Sequence, residues 1–140
     1  MTNASDTDID SLLDTHTIAV IGCSGTPGKA AHDVPAYLQR QGYDVVPVNP
    51  HRDEILGRPA ADGLADVAEP VDLVDVFRPS EEVSDVVDAV IERARTRGDV
   101  RGIWLQQGIR DDEAAARARN AGLLVVQDRC LKVDHARRRG

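Results

Sequence analysis

The segment from residue 17 to residue 50 constrains the fold more than any other part of the chain. It contains an apolar run at 17–21, a glycine-rich turn, an amphipathic helical stretch and a second apolar run at 45–48. Parallel strands need a crossover connection to return the chain to the same end of a sheet, so this order predicts a βαβ unit. The unbroken first run favours a central strand that is covered on both faces.

Strand and helix patterns alternate through the rest of the chain. Further strands are predicted at 71–77, 101–106 and 123–127. The alternation predicts an α/β fold, a Rossmann-like, doubly wound, parallel five-stranded sheet with three α/β/α layers and the strand order 3-2-1-4-5. In such sheets ligands lie beyond the carboxyl ends of the strands, so the loops that follow four of these strands are expected to meet around one ligand.

Capping residues predict where the helices begin and end. Asp33 is expected to cap the first crossover helix, and Ser80 the helix that Gly98 terminates. Asp111 or Asp112 is expected to cap an alanine-rich helix. These caps complete the pattern of one helix between successive strands, except at 51–70, which is less regular.

The chain length of 140 residues predicts one domain with one core. We predict a polar N-terminal segment with a short helix at 1–16, the nucleotide-binding domain at 17–132 and a basic tail at 133–140. A separate catalytic domain does not fit beside the nucleotide-binding one.

The glycine-rich turn after the first strand is the expected phosphate site. Its glycines adopt backbone angles that turn several N–H groups toward one point before a helix, whose N-terminus also favours an anion. Two hydroxyl groups and one positively charged side chain would strengthen anion binding there. These residues are Gly22, Gly25, Gly28, Ser24, Thr26 and Lys29.

Two common nucleotide motifs do not match this turn. A P-loop would need glycine at Cys23 and a hydroxyl at Ala30. A dinucleotide fingerprint needs Gly-x-Gly-x-x-Gly and an acid after the second strand, where this chain has Asn49 and Pro50. NAD is therefore disfavoured. NADP would need an arginine just after the second strand, and apart from Arg52 none is evident there.

Composition limits the classes of partner. The net charge of −7 argues against a nucleic-acid binder, which normally has a basic face. No apolar run is long enough to span a membrane and no signal peptide is evident, so a cytoplasmic location is expected. The two cysteines and four histidines have no metal-ligand spacing, and a buried, inert role is favoured for Cys23 over a mixed disulfide with a thiol ligand.

Six segments form a specific set through their order and spacing: 18–24, 42–50, 54–57, 71–79, 103–109 and 121–132. This set resembles the small stand-alone CoA-binding proteins, whose single domain is similar to the CoA-binding domain of the succinyl-CoA synthetase α subunit. The resemblance covers nearly everything from Thr17 to Lys132.

The resemblance implies coenzyme A, or an acyl-CoA, as the ligand. Gly22, Ser24 and the loop to Lys29 would hold the diphosphate. The residues that would border the adenosine are Asn49, Pro50, Phe77, Arg78 and Pro79, and those that would line the pantetheine path are Gln107, Gly108 and Ile109. Arg78 is suited either to a bidentate phosphate contact or to an ion pair with a neighbouring aspartate.

A non-catalytic binding module for CoA or acyl-CoA is the favoured function. No Ser-His-Asp or paired-carboxylate arrangement can be defended from spacing, and the second domain of the synthetase α subunit has no counterpart. The alternatives are an NAD(P)-binding oxidoreductase and a partner subunit of an acyl-CoA synthetase. The expected protein partner is a second copy of the chain, in a homodimer, or an acyl-CoA enzyme. Binding to nucleic acid or to a membrane is not expected.

Overall fold

The computed structural model describes residues 4–140, which form a parallel sheet with helices on both faces. The strands are β1 (Thr17–Ile21), β2 (Asp44–Val48), β3 (Glu54–Ile55), β4 (Arg58–Pro59), β5 (Leu73–Val76), β6 (Gly102–Leu105) and β7 (Leu124–Val126). The α-helices are α1 (Asp6–Leu13), α2 (Ala30–Arg40), α3 (Val83–Arg97), α4 (Asp112–Asn120) and α5 (Leu131–Arg139). The predicted α/β class is confirmed.

The main sheet has the order β2-β1-β5-β6-β7, while β3 and β4 form a separate antiparallel hairpin. The predicted order 3-2-1-4-5 is therefore wrong, because the third long strand, β5, lies beside β1 and not outside β2. All four residues of β5 are buried, which suits a strand between two neighbours. The connection from β2 to β5 contains the hairpin and a 3₁₀ turn at Leu64–Asp66 in place of an α-helix.

Each face of the sheet has its own apolar core. Strand residues Val74 and Val76 pack with α3 and α4, whereas Leu73 packs with α1, α2 and α5. Because successive side chains of a strand alternate between faces, Asp75 lies on the α2 side. Trp104 fills that core with no exposed surface, and its indole N–H donates to the carbonyl of Arg129 at 2.8 Å.

Two predicted helix caps have other roles. Helix α2 begins at Ala30 with Lys29 in the cap position, so Asp33 lies inside its first turns. Ser80 belongs to a 3₁₀ turn at Ser80–Glu82, and its hydroxyl accepts the N–H of Arg110 at 3.0 Å. Short polar side chains that can cap a helix are equally able to hold a neighbouring loop, which is the case at both positions.

Other predicted helix ends are confirmed. Asp111 caps α4 by accepting the N–H of Ala114 at 3.0 Å. Gly98 ends α3 in the left-handed conformation, with φ of 70°.

The C-terminal segment forms a helix where a basic tail was predicted. Helix α5 buries Leu131, Asp134 and His135. Arg138 and Arg139 form ion pairs with acidic residues in and after α1, at Asp6, Asp10 and Asp14. These basic residues therefore join α5 to α1. Helix α1 is the short helix predicted for the N-terminal segment, of which residues 1–3 lie outside the described residues. The domain boundaries at residues 17 and 132 stay a prediction.

No helix in the described part of the chain has the length and apolar character needed to cross a bilayer.

Candidate functional site

The loops at the carboxyl ends of β1, β2, β5 and β6 meet at the point where the strand order reverses. Two adjoining clefts open there. The β2-side cleft, of about 410 Å³, is lined by residues of the loops after β1, β2 and β5 and of α3, among them Gly22, Asn49, Pro50 and Arg78. The β6-side cleft, of about 330 Å³, is lined by Ala30, Ala31, Phe77, Arg78, Pro79, Gln106, Gln107, Ile109 and Cys130. Arg78 borders both clefts, so the two adjoin at this side chain and together make up the candidate site.

Gly22 allows the β1 and β5 loops to approach each other. Its φ is 80°, and a Cβ at this position would lie 2.7 Å from the carbonyl oxygen of Phe77 and 3.0 Å from Cδ of Arg78. A side chain here would therefore be strained in its backbone and would also collide with the neighbouring loop. The glycine is required for the junction of the two clefts.

Asn49 organises the β2 end of the site. Its amide group donates to the carbonyl of Cys23 at 2.9 Å, and its side-chain oxygen accepts the N–H of His51 at 2.8 Å. Both ends of the side chain are thus used inside the protein. Asn49 shapes the wall of the β2-side cleft by tying the β1 loop to the β2 loop.

Most amides of the glycine-rich turn already have acceptors within the protein. The N–H groups of Thr26 and Gly28 donate to the side chains of Ser24 and Asp33, at 3.0 and 3.1 Å. The N–H of Ser24 donates to the carbonyl of Ala31 at 2.9 Å. The turn is therefore ordered by its own hydrogen bonds.

Pro35 accounts for the contact between the turn and α2. An α-helix normally directs the N–H of residue 35 to the carbonyl of residue 31, but proline has no N–H. The carbonyl of Ala31 is left without this helical donor and accepts the amide of Ser24 instead.

The first turn of α2 presents amide donors to the β6-side cleft. The N–H groups of Ala30 and Ala31 have no hydrogen-bond acceptor among residues 4–140, and both residues line the cleft. Hydrogen bonds from His32 and from the Gly28 amide hold the pKa of Asp33 below its usual value. A carboxylate therefore already lies near this helix end, and an anion bound there would need additional positive charge.

Positively charged side chains lie on or next to the glycine-rich turn. The guanidinium of Arg52 lies against Gly25 so closely that a Cβ on this glycine would be 1.9 Å from Nη2. Lys29 is exposed at the start of α2. Arg78 is half exposed and donates to the Glu82 carboxylate at 2.5 Å, so the ion pair considered from the sequence exists, with a glutamate.

The floor of the β6-side cleft contains a buried polar pair. Gln106, which is 4% exposed, donates from Nε2 to Oδ1 of Asp75 at 2.6 Å. Asp75 is fully buried, and its Oδ2 is the one buried side-chain polar atom among the described residues that lacks a hydrogen-bond partner. Burial raises the pKa of Asp75 to about 7, a shift that hydrogen bonds from Gln106 and the Val76 backbone partly offset.

Cys23 is buried at the base of the β1 loop, as predicted. Burial, with a smaller effect of the nearby Asp75 charge, raises the pKa of its thiol to about 12. A thiol that stays protonated is a poor nucleophile, so the local environment favours the inert role. Cys130, by contrast, is partly exposed and lines the β6-side cleft.

The structure brings together most of the sequence-predicted site residues. Eight of them line one or both clefts: Gly22, Asn49, Pro50, Phe77, Arg78, Pro79, Gln107 and Ile109. The other five line neither cleft: Ser24, Gly25, Thr26, Lys29 and Gly108. The first four belong to the glycine-rich turn, whereas Gly108 has φ of 86° and donates its N–H to Asp128 at 2.7 Å.

Several residues that form the site were not identified from the sequence. From the sequence, Gln106 is predicted to belong to the strand, and Ala30 and Ala31, which precede the expected helix cap at Asp33, carry no predicted binding role. The polar Gln106 at the carboxyl end of an apolar strand was a usable signal. Cys130 and the residues from α3 carry no sequence signal, because only the fold places them at the clefts.

No group of three or more His, Cys, Asp or Glu side chains within residues 4–140 is arranged to hold a metal ion. What the arrangement offers chemically is a pair of clefts with amide donors, cations at their margin and a polar floor. Such a combination of apolar walls and a few polar groups is typical of small-molecule sites.

Comparison with known proteins identifies a family for this chain. Residues 16–136 match the model of the family described as CoA binding domain. The uncharacterized protein YneT of Bacillus subtilis (strain 168) is 37% identical over 137 residues, which are 97% of this chain and 98% of YneT. The solved structure of cell-free ID.343 from Thermus thermophilus has 41% identity and a TM-score of 0.87, covering 95% of this chain and 98% of that one.

A longer relative is the trans-feruloyl-CoA synthase FCS1 of an unknown prokaryotic organism. It is 29% identical over 134 residues, which are 91% of this chain and 19% of the synthase. The present chain therefore corresponds to a minor part of that protein.

Proposed function

Because this chain belongs to the CoA binding domain family, we propose that it binds coenzyme A or an acyl-CoA in the two joined clefts, as a non-catalytic binding module. The observation that carries this proposal is the convergence of four loops at the carboxyl edge of the sheet, where the strand order reverses. Each cleft has the volume of a small-molecule site. An elongated ligand with chemically different ends fits two joined clefts better than a compact one.

The adenosine part of the ligand is assigned to the β2-side cleft. Its walls include Pro50 and Ile21, which offer apolar contact, and Asn49, which fixes the wall in place. His51 and Asp62 add polar groups at the same cleft.

The diphosphate is assigned to the start of α2 and the glycine-rich turn. The amides of Ala30 and Ala31 are donors without a protein acceptor, and a helix N-terminus favours an anion. Lys29 and Arg52 supply the positive charge that the nearby Asp33 carboxylate makes necessary. Ser24, Gly25 and Thr26 support the site through the shape of the turn.

The pantetheine arm is assigned to the β6-side cleft. Phe77, Pro79 and Ile109 supply apolar wall, and Gln106 and Gln107 supply polar groups that suit the amides of the arm. Gly108 helps to set the path of this loop through its positive φ. Arg78, which borders both clefts, adds positive charge where the two parts of the ligand join.

The second candidate is an NADP-dependent oxidoreductase. The position of Arg52 after β2 and against the glycine-rich turn favours this candidate, because an arginine there can bind a 2′-phosphate. The third, a partner subunit of an acyl-CoA synthetase, is compatible with CoA binding, since a segment similar to this chain forms part of a trans-feruloyl-CoA synthase.

Ligand binding can be tested without knowledge of the physiological role. Small molecules released from the purified protein are identified by mass spectrometry, and thermal unfolding is then measured with CoA, acetyl-CoA, NAD, NADP or ATP. A ligand that binds the folded state raises the melting temperature. We expect CoA and acetyl-CoA to do so, whereas stabilisation by NADP alone would replace this proposal with the oxidoreductase.

A further inference from the structure

We propose that Asp75 is a positioning residue for ligand recognition: it holds the side-chain amide of Gln106 so that Gln106 Oε1 accepts a hydrogen bond from an amide N–H of the pantetheine arm. This inference rests on the proposed function and deepens it. It assigns a role to a buried carboxyl group that contacts no ligand itself.

The geometry of the pair determines which atom of Gln106 faces the cleft. Nε2 donates to Oδ1 of Asp75 at 2.6 Å, beneath the cleft floor. An ionised carboxylate only accepts hydrogen bonds, so it fixes the NH₂ end of the amide toward the protein. Oε1 makes no hydrogen bond within residues 4–140 and is not among the buried atoms that lack a partner, which leaves it accessible at the cleft.

The chemistry of Oε1 matches the arm of CoA. Pantetheine contains two amide groups, and each offers one N–H donor and one carbonyl acceptor. The amides of Ala30 and Ala31 at the same cleft are donors, so Gln106 supplies an acceptor that they do not. An amide-bearing ligand can thus be paired at both its N–H and its carbonyl.

Asp75 destabilises the fold at its own position. It lies between Val74 and Val76 on a central strand, no cation pairs with it, and its Oδ2 has no hydrogen-bond partner within the described residues. An apolar side chain would suit this strand better, because burial of an unpaired polar group is unfavourable. A residue that lowers the stability of the fold and improves no packing contact is expected at a binding site.

The nearby buried thiol does not offer an alternative explanation. Cys23 lies close enough to Asp75 for the carboxylate charge to act on its thiol, but no hydrogen bond joins the two side chains. Gln106 is therefore the side chain through which Asp75 acts.

The test compares CoA with adenosine 3′,5′-bisphosphate, which lacks the pantetheine arm and the phosphate that joins the arm to the nucleotide. Affinities of both ligands are measured by calorimetry at about pH 8 for the wild type, Asp75→Val, Asp75→Asn and Gln106→Met. We expect Asp75→Val and Gln106→Met each to weaken CoA binding about 3- to 10-fold and to leave the bisphosphate unchanged. Asp75→Asn keeps an acceptor for Nε2 and should retain CoA affinity within about 2-fold.

The melting temperature of Asp75→Val distinguishes a positioning role of Asp75 from a purely structural one. Asp75→Val should unfold at or above the wild-type temperature while binding CoA less well, because it removes an unfavourable buried group. The double variant Asp75→Val, Gln106→Met should bind CoA no more weakly than Gln106→Met alone. As a matched control, Gln127→Met changes a buried glutamine that bonds to Asp112 and lines neither cleft, so it should leave CoA affinity unchanged.

Each alternative outcome is decisive. Wild-type CoA affinity in a folded Asp75→Val would overturn the inference, and so would equal weakening of both ligands with a lower melting temperature. If Asp75→Val does not fold, unchanged CoA affinity in Gln106→Met overturns it. A wild-type protein that binds neither ligand would overturn the proposed function itself, whereas normal CoA binding without these effects would overturn only the role of Asp75.

Discussion

The buried carboxyl of Asp75 makes the stability of this protein depend on pH in a defined direction. Its pKa is about 7 in the folded protein, against an ordinary value of 3.8. A raised pKa means that the folded state holds the proton more tightly than the unfolded state does. The contribution to stability is therefore complete below about pH 4 and is lost as the pH rises through about 7.

The expected magnitude follows from the two pKa values. Each pH unit between them changes the free energy of unfolding by about 1.4 kcal/mol, so the loss between about pH 5 and about pH 8 amounts to roughly 2 to 3 kcal/mol. For a domain of this size that corresponds to a decrease in melting temperature on the order of 8 °C.

Asp75→Asn isolates this contribution, since asparagine has nearly the same shape and no titrating proton. We expect the difference in unfolding free energy between the variant and the wild type to increase by roughly 2 to 3 kcal/mol from about pH 5 to about pH 8 in urea titrations. Other titrating groups, such as His135, whose pKa burial lowers, contribute to both proteins and cancel. Parallel stability curves for the two proteins across this range would refute the reasoning.

Three substitutions at the glycine-rich turn test the proposed ligand site by calorimetry and thermal unfolding. Lys29→Ala should weaken CoA binding by about 1 to 2 kcal/mol without unfolding the domain, through loss of a charge-assisted contact. Gly25→Ala should displace the guanidinium of Arg52 and weaken CoA binding about 3-fold, while the fold persists because a flexible side chain can move. Gly22→Ala should lower stability by about 2 kcal/mol or more, since a Cβ there meets the backbone of Phe77 at positive φ.

Controls separate charge from structure in these experiments. Lys132→Ala removes the other lysine, which lies 5.5 Å from the centre of the Tyr37 ring, and should not change CoA affinity. CoA binding at wild-type strength in Lys29→Ala would remove that residue from the site. A Gly25→Ala variant in which CoA binds normally would exclude Arg52 as a phosphate contact, and a fully stable Gly22→Ala would contradict the close approach of the two loops.

The sequence predicted the strands well because their apolar runs are short, unbroken and bounded by glycine or proline. The βαβ unit at 17–50 and the strands that became β5, β6 and β7 are all present. Strand order was not predictable by the same means, because the connection between β2 and β5 contains no α-helix whose apolar face would indicate a side of the sheet. The position of β5 in the strand order instead depends on its burial on both faces, which is a property of the whole fold.

Position along a strand was sufficient to predict several residues that line the clefts, whereas the contacts that depend on packing were not predicted. Phe77, Arg78 and Gln107 were identified from the carboxyl ends of their strands, and all three line a cleft. The acceptors of the turn amides, such as Ala31 and Asp33, depend on how α2 begins, and local propensity did not reveal this. The role of the turn in holding phosphate stays a prediction.

The proline in α2 has a consequence for how this region moves. Since the carbonyl of Ala31 holds the amide of Ser24, the glycine-rich turn and the first turn of the helix share one hydrogen-bond network. Fraying of the helix start would release the turn, and opening of the turn would expose a carbonyl that no helical donor can satisfy. The two segments should therefore open and close as a single cooperative unit, so that any molecule bound at the turn also steadies the helix behind it.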